Sequence, residues 1–228
     1  MTSDTRQKLI DWAVRYNDPV YFVEDPIAFP REFARRGASL RDIEIAAIFS
    51  AHFAWGRRSM IVRDLERFFD RIEWKPSDYV MSGDWDDSPV SVHRTIKWSE
   101  TARICQRLRD FYSRNESLEI LDTAAVRTGI FGQKPCPGAP DKKINMMRRW
   151  MVRRDGKVDL GLWTSSRTED LIIPLDVHVY EESVALGLTS RKSKDLATAL
   201  EITDAFREIF PSDPCLGDFA LFGYGVSK

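Results

Sequence analysis

Paired cysteines are missing from this chain. Cys105, Cys136 and Cys215 lie far apart and form no C-x-x-C, which argues against a disulfide framework and against a zinc knuckle. His52, His93 and His178 are equally scattered, so neither a metal nor any other cofactor is expected. No apolar run approaches the roughly 20 residues of a bilayer span. The opening MTSDTRQKLIDW lacks the basic-then-apolar order of a secretory signal, so a cytoplasmic location is expected. An excess of either charge is missing too: 34 Lys and Arg against 35 Asp and Glu leave a net charge of −1. A protein held to nucleic acid by its overall field would be basic, so any such contact has to come from a local patch. Alternating strand patterns, internal repeats and low-complexity tracts are also lacking.

What the sequence does have is helical periodicity. Ser3 to Tyr16 places Leu9, Trp12, Ala13 and Tyr16 at helical spacing and stops at Asp18-Pro19. Pro26 and Pro30 bound a short connector. A capping-box-like Ser39-Leu40-Arg41-Asp42 opens IEIAAIFSAHFAW, a run apolar enough for a central buried helix. Met60 to Ile72 and Thr101 to Ser113 are amphipathic, and Pro76 to Pro89 reads as turns. FGQKPCPGAPD (131–141), with three prolines and two glycines, is a shaped loop ahead of a helix over Lys142 to Arg154. Residues 155–173 read as a loop. Helices follow at about Asp176 to Leu186 and Ser193 to Phe210, and DFALFGYG closes the pattern. The fold class is all-α.

Two segments carry candidate chemistry. In Pro137-Gly138-Ala139-Pro140-Asp141-Lys142-Lys143 a tight turn enters a helix whose first turn bears two lysines. Free N–H groups at a helix start favour a phosphate. The helix dipole and cationic neighbours favour the neutral amine that a Schiff-base nucleophile needs. A solvated basic helix start is the plainer alternative. Arg148, Arg149, Arg153 and Arg154 follow on the same helix, making it the densest basic run in the chain; Ile144, Met147 and Met151 form its apolar stripe. In the second segment, Ile172 to Val179, an apolar run delivers Asp176 to a helix start. Asp176 is either an N-cap or a desolvated carboxylate able to stabilise a developing positive sugar.

At these segments the chain resembles the helix-hairpin-helix DNA glycosylases. Their hairpin, approximately L-P-G-V-G-x-K-T-A, aligns with CPGAPDKKI (136–144), and their V-D-T-H-V with LDVHV (175–179). DPIAFP (25–30), DIEIA (42–46), FAWGRR (53–58), HRT (93–95), RWMVR (149–153), LIIPLDVHV (171–179) and DFALFG (218–223) resemble a bacterial family within that superfamily. The resemblance implies two helical lobes, one at about 40–134 and one from 1–39 plus 135–228, with a helix-hairpin-helix near 120–154. It implies a base-excision glycosylase with AP lyase activity on double-stranded DNA containing a damaged base. Lys142 is then the nucleophile, with Lys143 as the alternative, and Asp176 the carboxylate. Gly138, Lys143, Arg148, Arg149 and Arg153 would hold phosphates.

Three departures stand out. The hairpin's second glycine is Pro140, which removes an N–H from the phosphate nest. Lys142 and Asp176 are 34 positions apart (142 to 176), as in the archaeal 8-oxoguanine glycosylase branch, which points to an oxidised base such as 8-oxoguanine. No cysteine cluster follows Asp176, so no iron–sulfur cluster is implied. That branch lines its base pocket with an aspartate and an aromatic four residues later, which transfers to Asp218 and Phe222. Trp55, beside Gly56, Arg57 and Arg58, is the candidate for stacking on an extruded base; for Trp55 and Phe222 the alternative is core packing. Two rival functions remain: a helical DNA-binding module without chemistry, and a protein-interaction domain that ignores DNA.

Overall fold

The structure, a computed structural model, describes residues 1–226, and of Val226 only the backbone. Along the chain run α1 (Ser3–Tyr16), α2 (Ala28–Arg35), α3 (Leu40–Phe53), α4 (Arg58–Arg71) and α5 (Pro76–Ser82). A two-stranded hairpin, β1 (Ser91–His93) and β2 (Ile96–Lys97), leads into α6 (Trp98–Tyr112). Then come α7 (Thr123–Ala125), which continues as a π-turn over Val126–Ile130, α8 (Lys142–Val152), α9 (Val177–Ala185), α10 (Leu196–Arg207) and α11 (Leu216–Val226). The fold is all-α, the hairpin being its one strand pair among the described residues. No helix among them is long and apolar enough to cross a membrane.

The chain forms two compact units: a terminal one, Met1–Tyr21 with Cys136–Lys228, and a middle one, Phe22–Pro135. The N-terminal boundary is thus at 21/22 rather than 39/40. The reason is α2, which the prolines had hidden. Pro30 is its third residue, in the first turn, where a missing N–H costs nothing. Its buried Phe29 and Phe33 stack with Phe69 and Trp74 inside the middle unit. Pro76 likewise starts a helix, α5, within the stretch read as turns.

In the middle unit every residue of α3 from Ile43 to Phe53 is buried. Burial there includes Glu44, whose carboxylate accepts from Tyr112 Oη (2.7 Å), Ser117 Oγ (2.5 Å) and the Leu118 N–H (3.1 Å). A buried carboxylate with three donors is tolerable, and it ties α3 to α6 and to the 3-10 turn at Leu118. In the terminal unit Leu9 and Ala13 of α1 join Ile173, Leu175, Val179, Ile202, Phe206 and Ala220 in one core.

Candidate active site

Two helix starts of the terminal unit bring the amine and the carboxylate together: Lys142 Nζ lies 3.7 Å from Asp176 Oδ2. Lys142 is the first residue of α8, and Asp176 is the N-cap of α9. The two oxygens of Asp176 divide the work, because Oδ1 accepts from the Val179 N–H at 2.9 Å while Oδ2 faces the amine. Both side chains keep about a third of their surface, 29% and 35%, so the pair is open to a solute rather than sealed in the core. Upstream, Cys136 to Ala139 closes a turn through the Ala139 N–H to the Cys136 carbonyl (3.0 Å). Gly138 is exposed, and its carbonyl accepts from the Leu196 N–H at the start of α10 (2.9 Å). Asp141 then takes a left-handed backbone, φ 42°, and buried Asn145 pins the bend by donating to the Pro140 carbonyl (2.9 Å). Aspartate is one of the few residues besides glycine that take this backbone readily, here directly before Lys142.

Arg149 and Arg153 do not present themselves to DNA. Both are buried, at 5% and 2% exposure. The chain after α8 folds back on it, with Leu160 N–H donating to the Trp150 carbonyl and Trp163 N–H to that of Met151. That turn delivers Asp155 and Asp159 to the arginines. Arg153 donates to Asp155 (2.5 Å), Asp159 (3.0 Å), Asp213 (2.7 Å) and Asn17 (3.3 Å). Arg149 bridges Asp159 (3.3 Å) and Asp218, and both guanidiniums lie over the Phe219 ring. Helical spacing puts these arginines opposite the Ile144–Met147–Met151 stripe. It could not show that a loop covers that side too.

Asp218 is therefore a partner of Arg149. Burial pushes its carboxyl above the usual aspartate range; Arg149 pulls the other way, Asp176 adds to the rise and Lys142 opposes it. It sits within electrostatic reach of the amine–carboxylate pair. Phe222, one turn on along α11, packs edge-on against Tyr16 (5.5 Å) and Tyr21 (6.1 Å), so its contacts are those of an aromatic cluster with α1. Lys143 is half-buried in the first turn of α8. Arg148, half-buried, reaches Ser166 Oγ (3.4 Å) and lies over Trp163. Trp55 belongs to the middle unit. Among the described residues, no three His, Cys, Asp or Glu side chains gather as a metal donor set.

A family model described as a protein of unknown function, DUF2400, matches residues 25–130 and 123–227. The chain belongs to this family. No curated protein and no solved structure matches it.

In this DUF2400 chain the groups that sequence reasoning missed are Asp159 and the surroundings of Trp55. Asp159 had no local signal beyond the apolar LGLW that follows it, whose Trp163 is wholly buried. Around Trp55, FAWGRR meets HRT. His93 Nε2 donates to the Trp55 carbonyl (3.1 Å), and His93 Nδ1 is 2.8 Å from Asp64 Oδ2, all three polar groups meeting at the end of α3. Burial of Asp64 is outweighed by its hydrogen bonds with His93 and Arg63, which hold its carboxyl below the usual range. The Arg94 guanidinium covers the indole at 4.1 Å. Trp55 is half-buried, so it is not the core tryptophan of the alternative reading; Trp150 and Trp163 fill that role.

Proposed function

We propose that the protein is a DNA base-excision glycosylase with AP lyase activity, acting on an oxidised base such as 8-oxoguanine in double-stranded DNA in the cytoplasm. The observation that carries the reading is the 3.7 Å approach of Lys142 Nζ to Asp176 Oδ2 at two helix starts. A base in a duplex is out of reach until it is flipped out. Neutral Lys142 then attacks C1′ as the N-glycosidic bond breaks and the base leaves with the bonding pair and a proton. Asp176 stabilises the positive charge that develops at the sugar. The nitrogen lone pair then opens the C1′–O4′ bond, O4′ takes the remaining amine proton and C1′ becomes a Schiff base; loss of a 2′ proton expels the 3′ phosphate, and water adds to the imine to return free Lys142.

Phosphate contacts come from the remaining cationic surface of α8, Lys143 and Arg148, and from the exposed hairpin at Gly138. Borohydride trapping across a panel of lesion duplexes tests the reading. Wild type gives a covalent adduct, Lys142→Gln and Asp176→Asn give none, and Lys143→Gln retains it. Loss of the adduct only in Lys143→Gln moves the nucleophile by one residue. No adduct from wild type on any duplex, with salt-sensitive duplex binding intact, leaves the non-catalytic binding module.

A further inference from the structure

The runs FAWGRR and HRT take no part in the amine–carboxylate chemistry, yet in the middle unit they fold into one constellation. Its outer layer is Trp55, half-buried, with the exposed Arg94 guanidinium over its ring, 4.1 Å from the centroid. Two backbone oddities keep it there. Arg94, in the two-residue turn between His93 and Ile96, has φ 52°, a region L side chains avoid. Gly56 has φ 103°, and a Cβ there would lie 2.3 Å from Arg94 Nη1, so any other residue would push the guanidinium aside. Beneath them the buried His93 holds the Trp55 carbonyl and is itself held by buried Asp64. A buried histidine–aspartate pair thus serves to fix a half-buried indole. Arg57, exposed two residues on, heads the 14-residue α4, which has no acidic residue in its first turn and no side-chain cap. Two nearby cations already have carboxylate partners, Arg58 with Asp25 and Arg63 with Asp64.

We propose that Trp55, Arg94 and Arg57 form a contact site for a single nucleic-acid strand, with an unpaired base on the indole and its flanking phosphates on the two guanidiniums. Stacking of a base on indole is stronger than an exposed cation–π contact, so an incoming base displaces the Arg94 guanidinium from the ring. The displaced fork then meets a phosphate, the anion its geometry matches best. Paired bases already stack on each other, so an unpaired strand is the partner that gains. The inference rests on the proposed function only for the class of partner; it uses no residue of the lysine chemistry.

Fluorescence anisotropy with a fluorescein-labelled dodecathymidylate strand, measured over a salt series, tests it. Wild type binds at low salt. Trp55→Leu weakens binding about tenfold with the salt slope retained. Arg94→Gln weakens it and lowers the slope by about one. Any folded variant of Trp55 or Arg94 with wild-type affinity and slope overturns the site, as does a wild type that leaves the strand unbound. Should Trp55→Leu not fold, Arg94→Gln decides, its side chain being exposed. A wild type that traps no lesion duplex but loses strand binding on Arg94→Gln ends the catalytic reading alone; the opposite pattern ends this site alone.

Discussion

Asp176 answers to two demands through two oxygens, and substitutions separate them. Asparagine caps a helix as well as aspartate does, whereas alanine costs about 1 kcal/mol. Asp176→Asn is expected to unfold in urea within about 0.5 kcal/mol of wild type, and Asp176→Ala about 1 kcal/mol below it, with trapping lost in both. Equal stability of the two variants would remove the cap at Val179 from the account. Arg153 is the opposite case, a residue with four acceptors and almost no exposed surface. Arg153→Met leaves buried carboxylates without their cation, and a loss of about 3–5 kcal/mol is expected by the same measurement. A loss below 1 kcal/mol would mean the arginine is a surface group after all. At Arg94 the effects cancel. Glycine relieves about 1–2 kcal/mol of left-handed strain but gives up about 0.5–1 kcal/mol of cation–π contact and about as much again in chain entropy. Arg94→Gly should therefore keep its melting temperature while binding the strand poorly.

Among the elements, α11 depends most on small residues. Gly223 faces Tyr16 so closely that a Cβ would come within 2.3 Å of Cδ2 and 2.9 Å of Trp12 Cβ. Tyr16 cannot swing away, since its ring is packed against Tyr21 and Phe222. Gly223→Ala should loosen α1 from α11 and cost about 1–3 kcal/mol, seen as a lower urea midpoint and faster amide exchange in α1. Wild-type exchange in α1 would show that the ring can yield. The stretch that closes the chain's helical pattern, DFALFGYG, is therefore a packing motif as well as the carrier of Asp218. At the element scale, too, α8 is less of a cationic face than its sequence suggests, because Arg149 and Arg153 are consumed by the loop that follows.

For the whole molecule, Asp159, Asp213 and Asp218 of the terminal unit and Asp64 of the middle unit are shifted in opposite directions. In the terminal unit burial pushes Asp159, Asp213 and Asp218 upward against their arginines, while at Asp155 the pull of Arg153 outweighs burial. A carboxyl with a raised folded pKa binds its proton more tightly when folded, so stability falls as pH rises through that interval and returns on acidification. Asp64 of the middle unit is lowered, so its contribution is present above the usual aspartate value of about 3.9 and is lost as pH falls through its folded value. Amide exchange, corrected for intrinsic rates, should show α8 and α11 holding or gaining protection on acidification toward about pH 4.5, while α4 and the β1–β2 turn lose theirs only below about pH 3.9. Simultaneous loss in both units from neutral pH downward would refute the assignment. Local pattern determined the all-α class, the bounds of α1 and the start of α8, because periodicity and caps act over a few residues. Even the alternative roles of Asp176 were visible, since an N-cap is a neighbour effect. Tertiary structure alone decided that Lys142 meets Asp176, that Arg149 and Arg153 are buried, and that Arg94 covers Trp55. These contacts reach across as many as 136 positions of sequence, and the direction in which a distant segment returns is set by packing, which no spacing in one segment records.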